Sequence, residues 1–313
     1  MKTRLIYSLL ATIILLPLTV SAGPTTETPI TTFPTFRPAA WPPWPTLLPG
    51  TDLTPMGPYK LFDNLYYVGT NNVGAYIVDT GAGLIIIDAG WGERDCESMV
   101  SDMRTLGLDP GTIKMILLSH EHIDHYGCVK DWKNGVCPYA EVALSQLGWN
   151  YLRTRPAEGA FSNPRPKSID MYLTDGQRVH LGNTNIQIVA TPGHSMGCVS
   201  FIIPVRDRGA NHVVGIMGGT TVQGNWDEAF VYFTSIEYFK QACSEAKCDV
   251  GLGTHASLDY KADFDKLANR KPGEPNPLVM GTEKFDTVYL QKYRKMAVDK
   301  MKTLTPEGPA PKP

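Results

Sequence analysis

The stretch Ser119-His120-Glu121-His122-Ile123-Asp124-His125-Tyr126-Gly127 constrains this chain more than any other part of it. It follows directly on the apolar run Lys114-Met115-Ile116-Leu117-Leu118, which reads as a strand, so its side chains arrive at a strand end. On extended chain His120 and His122 project to the same side and can reach one ion. Asp124 and His125, one turn further on, point elsewhere, so one loop can feed two neighbouring metal positions. Imidazoles with a single carboxylate suit zinc better than magnesium or calcium. A lone histidine is more often a core or solvated side chain; this cluster of ligand-type groups is not explained that way.

Two further histidines follow predicted strand ends. His194 lies in Thr191-Pro192-Gly193-His194-Ser195, where the Pro-Gly turn projects the imidazole at a loop edge, and His255 lies in Gly253-Thr254-His255. Of the seven histidines these readings use five; His180 and His212 fall inside predicted strands and are read as structural.

The pattern around these motifs alternates short β-branched runs with helical spacing. Strands are predicted at 64–69, 74–79, 83–88, 114–119 and 140–144, then at 171–173, 177–180, 185–190, 199–203, 212–217 and 249–253. Helices are predicted at 94–106, 127–133, 146–153, 236–246, 261–269 and 283–302. Two halves, each a strand meander with helices to one side, imply an α+β fold: a four-layer αβ/βα sandwich forming a single domain over residues 59–303. Residues 23–58 are Thr- and Pro-rich and read as an extended arm, and 304–313 as a tail without a core.

Residues 1–22 carry Lys2 and Arg4, an apolar run from Leu5 to Val20, and small residues at Ser21 and Ala22. This is the pattern of a secretory signal peptide, the apolar run being shorter than the ~20 residues of a spanning helix. The mature protein is therefore expected to be exported, secreted or periplasmic, without stable membrane association. Removing that segment leaves 27 basic against 31 acidic side chains; with no basic face, nucleic acid is not an expected partner. Export makes the six cysteines candidates for disulfides. Nearness favours Cys128 with Cys137 and Cys243 with Cys248, leaving Cys96 and Cys198 as thiols. Nothing in the sequence speaks to the oligomeric state.

The motifs HxHxDH, TPGHS and GTH, together with Ile87-Asp88-Ala89-Gly90 at an earlier strand end, resemble those of the metallo-β-lactamase superfamily, over about residues 60 to 300. The resemblance implies two zinc ions per chain. His120, His122 and His194 would hold the first, and Asp124, His125 and His255 the second, with Asp88 orienting a ligand from behind. Glyoxalase-, lactonase- and nuclease-type members place a bridging Asp on the strand before the last histidine. Here that region reads Gly215-Ile216-Met217-Gly218-Gly219-Thr220-Thr221, with neither that Asp nor the Cys of one β-lactamase branch. What remains is similar to the third subclass of the zinc β-lactamases. The substrate-binding Ser-x-Ser of that subclass is missing, and Thr220 and Thr221 are the hydroxyls that stand nearby.

The function so implied is opening of a small cyclic amide, most simply a β-lactam, by hydroxide generated at the metals, with His122 and Asp124 as the catalytic pair. A second reading is the same chemistry on an ester, lactone or thioester, since substrate choice belongs to the site and its loops. A third, a non-catalytic scaffold, predicts lost ligands, and all six are present.

Overall fold

The computed structural model of the protein describes residues 52–154, 165–255 and 260–304. The expected leader, most of the arm and the end of the tail lie outside the described residues. So does much of the stretch between residues 151 and 168.

The apolar runs form strands because residues on both of their faces are buried. Strands β1 (Pro55–Lys60), β2 (Leu65–Thr70), β3 (Gly74–Asp79), β4 (Leu84–Ile87), β5 (Ile113–Leu117), β6 (Glu141–Ser145) and β7 (Met171–Leu173) make one seven-stranded sheet in chain order. Strands β8 (Arg178–Leu181), β9 (Thr184–Ala190), β10 (Val199–Asp207), β11 (Ala210–Met217) and β12 (Val250–Gly253) make a five-stranded sheet ordered β12-β11-β10-β9-β8. Alternate residues of the first sheet divide between two cores. Tyr67, Tyr76, Val78, Ile85 and Ile87 pack with Ile186, Ile188, Phe201, Ile203 and Ile216 of the second sheet. Tyr66, Val68, Ala75, Ile77, Leu84 and Ile86 pack instead with Cys96, Met99, Val100 and Met103 of helix α1 (Glu93–Thr105).

The short helical turns α2 (Ile123–Tyr126) and α3 (Val129–Asp131) and helix α4 (Gln146–Thr154) follow β5 and β6. Helix α5 (Trp226–Ala246) adds Tyr232, Ile236, Phe239 and Cys243 to the core that contains the second sheet, and after α6 (Lys261–Ala268) and α7 (Thr282–Lys284), α8 (Gln291–Lys302) adds Tyr293 and Ala297. Helix, sheet, sheet, helix is the expected four-layer sandwich. Burying each aliphatic side chain of these cores is worth about 1.5–3 kcal/mol. Among the described residues no helix is long and apolar enough to cross a membrane.

Four expectations are corrected. The arm was read to Pro58, but β1 begins at Pro55; it is the edge strand of its sheet, where proline is tolerated. The helix expected at 127–133 is instead α3 continued by the turn Trp132–Val136, and a separate turn, α2, precedes it and holds Asp124 and His125. The helix expected from Ile236 starts at Trp226, behind a capping box in which Asn225 accepts from the Glu228 N–H and Glu228 accepts from that of Asn225.

The fourth concerns cysteine. The disulfide joins Cys96 to Cys128, across 32 residues, while Cys137, Cys198, Cys243 and Cys248 are free and buried. Packing of α1 on the loop after β5 brings Cys96 and Cys128 to a Cα separation of 5.3 Å. Cys137, near in sequence, is held off by the intervening helical turns.

Non-reducing peptide mapping is expected to recover Cys96 linked to Cys128, and a Cys128–Cys137 link would contradict this packing. Asn225→Ala should lower unfolding stability by about 1 kcal/mol in chemical denaturation.

Candidate metal centre

Strand direction gathers the ligands. β4 and β5 run parallel, as do β11 and β12, and β9 runs with β11 because both are antiparallel to β10. Their carboxyl ends deliver Asp88, the loop 119–125, His194, the segment 218–221 and His255. Both sheets therefore contribute to one site, as ligand sites at strand ends require.

Two triads result. His120 Nε2 and His194 Nε2 approach His122 Nδ1 at 3.0 and 3.1 Å. Asp124 Oδ2 lies 3.4 Å from His125 Nε2 and 3.5 Å from His255 Nε2. Within each triad the ligating atoms lie within 4.8 Å of one another. The triads adjoin, the rings of His120 and His125 being 4.0 Å apart between centroids.

The nitrogens that face away from the triads are all engaged where the contact is resolved. His120 Nδ1 meets Ser119 Oγ at 2.9 Å, and His125 Nδ1 meets Asp88 Oδ2 at 2.7 Å. His194 Nδ1 meets the Thr221 carbonyl at 2.8 Å, and His255 Nδ1 the Asn72 carbonyl at 3.0 Å. Donating outward, His120, His194 and His255 each present a lone pair inward, the tautomer a metal ligand needs, and His125 does so once it has lost a proton. His125 Nε2 is buried without a well-formed hydrogen bond, Asp124 Oδ2 lying 3.4 Å away. A buried polar atom without one is costly, and a cation between it, Asp124 and His255 would satisfy all three. The residues present therefore fit a metal ion at each triad.

Electrostatics agree for the first triad. Burial pushes the pKa of His120 and His122 well below the ordinary imidazole value and that of His194 down to about 4, and neighbouring imidazoles add to the fall at each. These rings are neutral at pH 7 and free to coordinate. At the second triad burial also lowers His255, but His125 is different. Burial pulls it down, yet the carboxylates of Asp124 and Asp88 outweigh that and raise it to about 10. Burial likewise pushes Asp124 up, and His125, His255 and His122 outweigh it, holding the carboxylate below its usual range. Without a metal, His125 carries a proton between two carboxylates, and an ion binding there has to displace it.

All six expected ligands are thus brought together, with Asp88 behind them. Asp88 also accepts from the Ser119 N–H at 2.7 Å and from Ser119 Oγ at 2.9 Å. The two threonine hydroxyls after β11 differ in their surroundings. Thr221 Oγ1 lies 3.1 Å from His194 Nδ1, and Thr220 is buried with its hydroxyl unpartnered. Ser119, Asn72 and Thr221 escaped the sequence reading as orienting groups. Ser119 was adjacent to the motif and could have been found; Asn72 acts through its backbone in the β2–β3 turn and had no side-chain signature. His212 pairs with Asp249 at 2.7 Å, a structural contact as expected.

The metallo-beta-lactamase superfamily profile matches residues 68–208, a span carrying Asp88, the 120–125 cluster and His194. Residues 68–208 form a metallo-beta-lactamase superfamily domain. Its fold is similar to that of BJP-1, a subclass B3 metallo-beta-lactamase of Bradyrhizobium japonicum (TM-score 0.66, 27% identity, covering 81% of this chain and 98% of that one). Among curated proteins it is similar to an atrochrysone carboxyl ACP thioesterase of Passalora fulva, 26% identical over 61% of this chain and 50% of the relative. A lactamase-like protein, adaB, of Aspergillus niger is 31% identical over 69% of this chain and 59% of the relative. The chain thus spans between half and three-fifths of the length of these curated relatives.

A pH dependence follows for the metal-free protein. His194 is neutral in the fold down to about 4 but titrates near 6.5 when unfolded, so the unfolded chain binds more protons between these values. Stability should fall as pH drops from about 6.5 to about 4, followed by chemical denaturation in chelator. Unchanged stability across that window would contradict the buried neutral ring.

Proposed function

We propose that the protein is an exported, zinc-dependent hydrolase that opens a cyclic amide of β-lactam type. The observation that carries this reading is the way β11 ends against His194. It delivers Gly218-Gly219-Thr220-Thr221, and a side chain on Gly219 would collide with Cβ of His194. No carboxylate can stand at that glycine, so each triad keeps its own ligands. Family members acting on thioesters and lactones are the ones expected to carry a bridging carboxylate there.

Zinc bound at the triads would acidify a water and polarise the carbonyl under attack. The chain's own residues supply the rest. Asp124, ionised and within 3.5 Å of both histidines of its triad, orients the attacking water and accepts its proton. His122, with its ring nitrogen 3.0–3.1 Å from those of His120 and His194, sets the first triad's geometry. Five of the six ligands are buried and His255 is partly exposed, so the ligand set lies below the protein surface.

A thioester or ester substrate is the second reading, favoured by the similarity to a protein named a thioesterase. It shares every step above and differs in the leaving group.

Asp124→Asn and His122→Ala should each lower kcat by about 100-fold or more with the circular dichroism of the fold retained. Near-parental activity in both would remove this site assignment. Side-by-side assays of nitrocefin, a lactone and an acyl thioester on zinc-loaded protein should give the highest kcat/KM for nitrocefin. A thioester preference would select the second reading.

A further inference from the structure

Glu121 sits between two ligands and takes part in neither triad. On the extended segment that sends His120 and His122 to one side, its side chain must go to the other, into the protein. It is 5% exposed. Burying a carboxylate costs several kcal/mol unless its oxygens are satisfied, and an apolar residue would fill the same space without that cost.

Its surroundings are built for it. Glu121 Oε2 accepts from Ser195 Oγ at 3.0 Å, and burial, which favours the protonated form, is opposed by that bond and by the nearby backbone N–H groups of Glu121 and Gly197. Two glycines make the room: a methyl group on Gly197 would come within 2.5 Å of Oε2, and one on Gly148 within 3.0 Å. Ser145 Oγ fixes both, donating to the Gly197 carbonyl at 2.6 Å and accepting from the Gly148 N–H at 3.1 Å. Ser195 immediately follows His194, which comes from the other sheet.

We propose that Glu121 is a positioning residue that sets the His194 loop against the His120–His122 segment, and so fixes the spacing of the three-imidazole site. Two ligands come from the end of β5 and the third from the end of β9; the Glu121–Ser195 bond joins the two loops at residues adjacent to ligands. A site whose third ligand is free to drift binds its ion more weakly and with altered geometry, whatever the substrate. This inference rests on reading the triads as metal sites.

The test uses full-length protein carrying His255→Ala, so that titration reports the three-imidazole site, with Glu121→Ala, Glu121→Gln or Ser195→Ala added. Zinc affinity is measured against a chromophoric chelator, and the visible spectrum is recorded after cobalt substitution. Glu121→Ala and Ser195→Ala should each weaken zinc binding by about 10-fold or more and shift the cobalt bands. Glu121→Gln keeps an acceptor for the Ser195 hydroxyl and should recover most of the affinity, to within about threefold of the parent. Parental affinity and spectrum in both Glu121→Ala and Ser195→Ala would overturn the proposal, even if their melting temperatures fall. Should Glu121→Ala not fold, Ser195→Ala decides alone. A parent that takes up no zinc would overturn the metal reading beneath it, a result visible before any Glu121 variant is made.

Discussion

The carboxylate of Asp88 is the point on which the site depends. It is buried, and its backbone lies in the left-handed region at φ 63°, a conformation that costs a non-glycine residue of order 1–3 kcal/mol. It accepts three bonds that over-determine it, from the Ser119 N–H, from Ser119 Oγ and from His125 Nδ1–H. Through Ser119, which also meets His120 Nδ1, the same carboxylate reaches a ligand of each triad. One side chain at the end of β4 therefore sets the loop after β5, and with it four of the six ligands.

Around that hub the two triads differ in kind. Three buried imidazoles with no carboxylate among them stay neutral, and such a set holds a cation without first losing a proton. The second triad contains Asp124 and is backed by Asp88, so the imidazole between them is cationic until an ion takes its place. The difference comes from where carboxylates stand rather than from the histidines themselves, and it gives one loop two metal positions of unequal proton demand.

Much of this was legible in the sequence. Apart from β1 and the last four residues of β10, period-two and continuous apolar runs such as Leu84–Ile87 marked strands to within a residue or two, because burial on both faces leaves nowhere for a polar side chain. The ligands were legible because each sits directly after such a run. What escaped was tertiary. Cys96 meets Cys128 only because α1 packs on the following loop, and nearness along the chain misdirected the pairing. The first ten residues of α5, including Trp226, Phe230, Tyr232 and Phe233, have weak helix propensity, although Asn225 and Glu228 spelled a capping box. Asn72 orients His255 through a carbonyl, which no residue type announces. Thr221 was noticed for its hydroxyl, yet both its carbonyl and its hydroxyl serve His194.

Zinc-edge anomalous diffraction from crystals of the zinc-loaded protein tests the central claim most directly. Two peaks are expected, one among His120 Nε2, His122 Nδ1 and His194 Nε2, the other among Asp124, His125 Nε2 and His255 Nε2. An ion bound elsewhere, with both triads closed on themselves, would contradict the account.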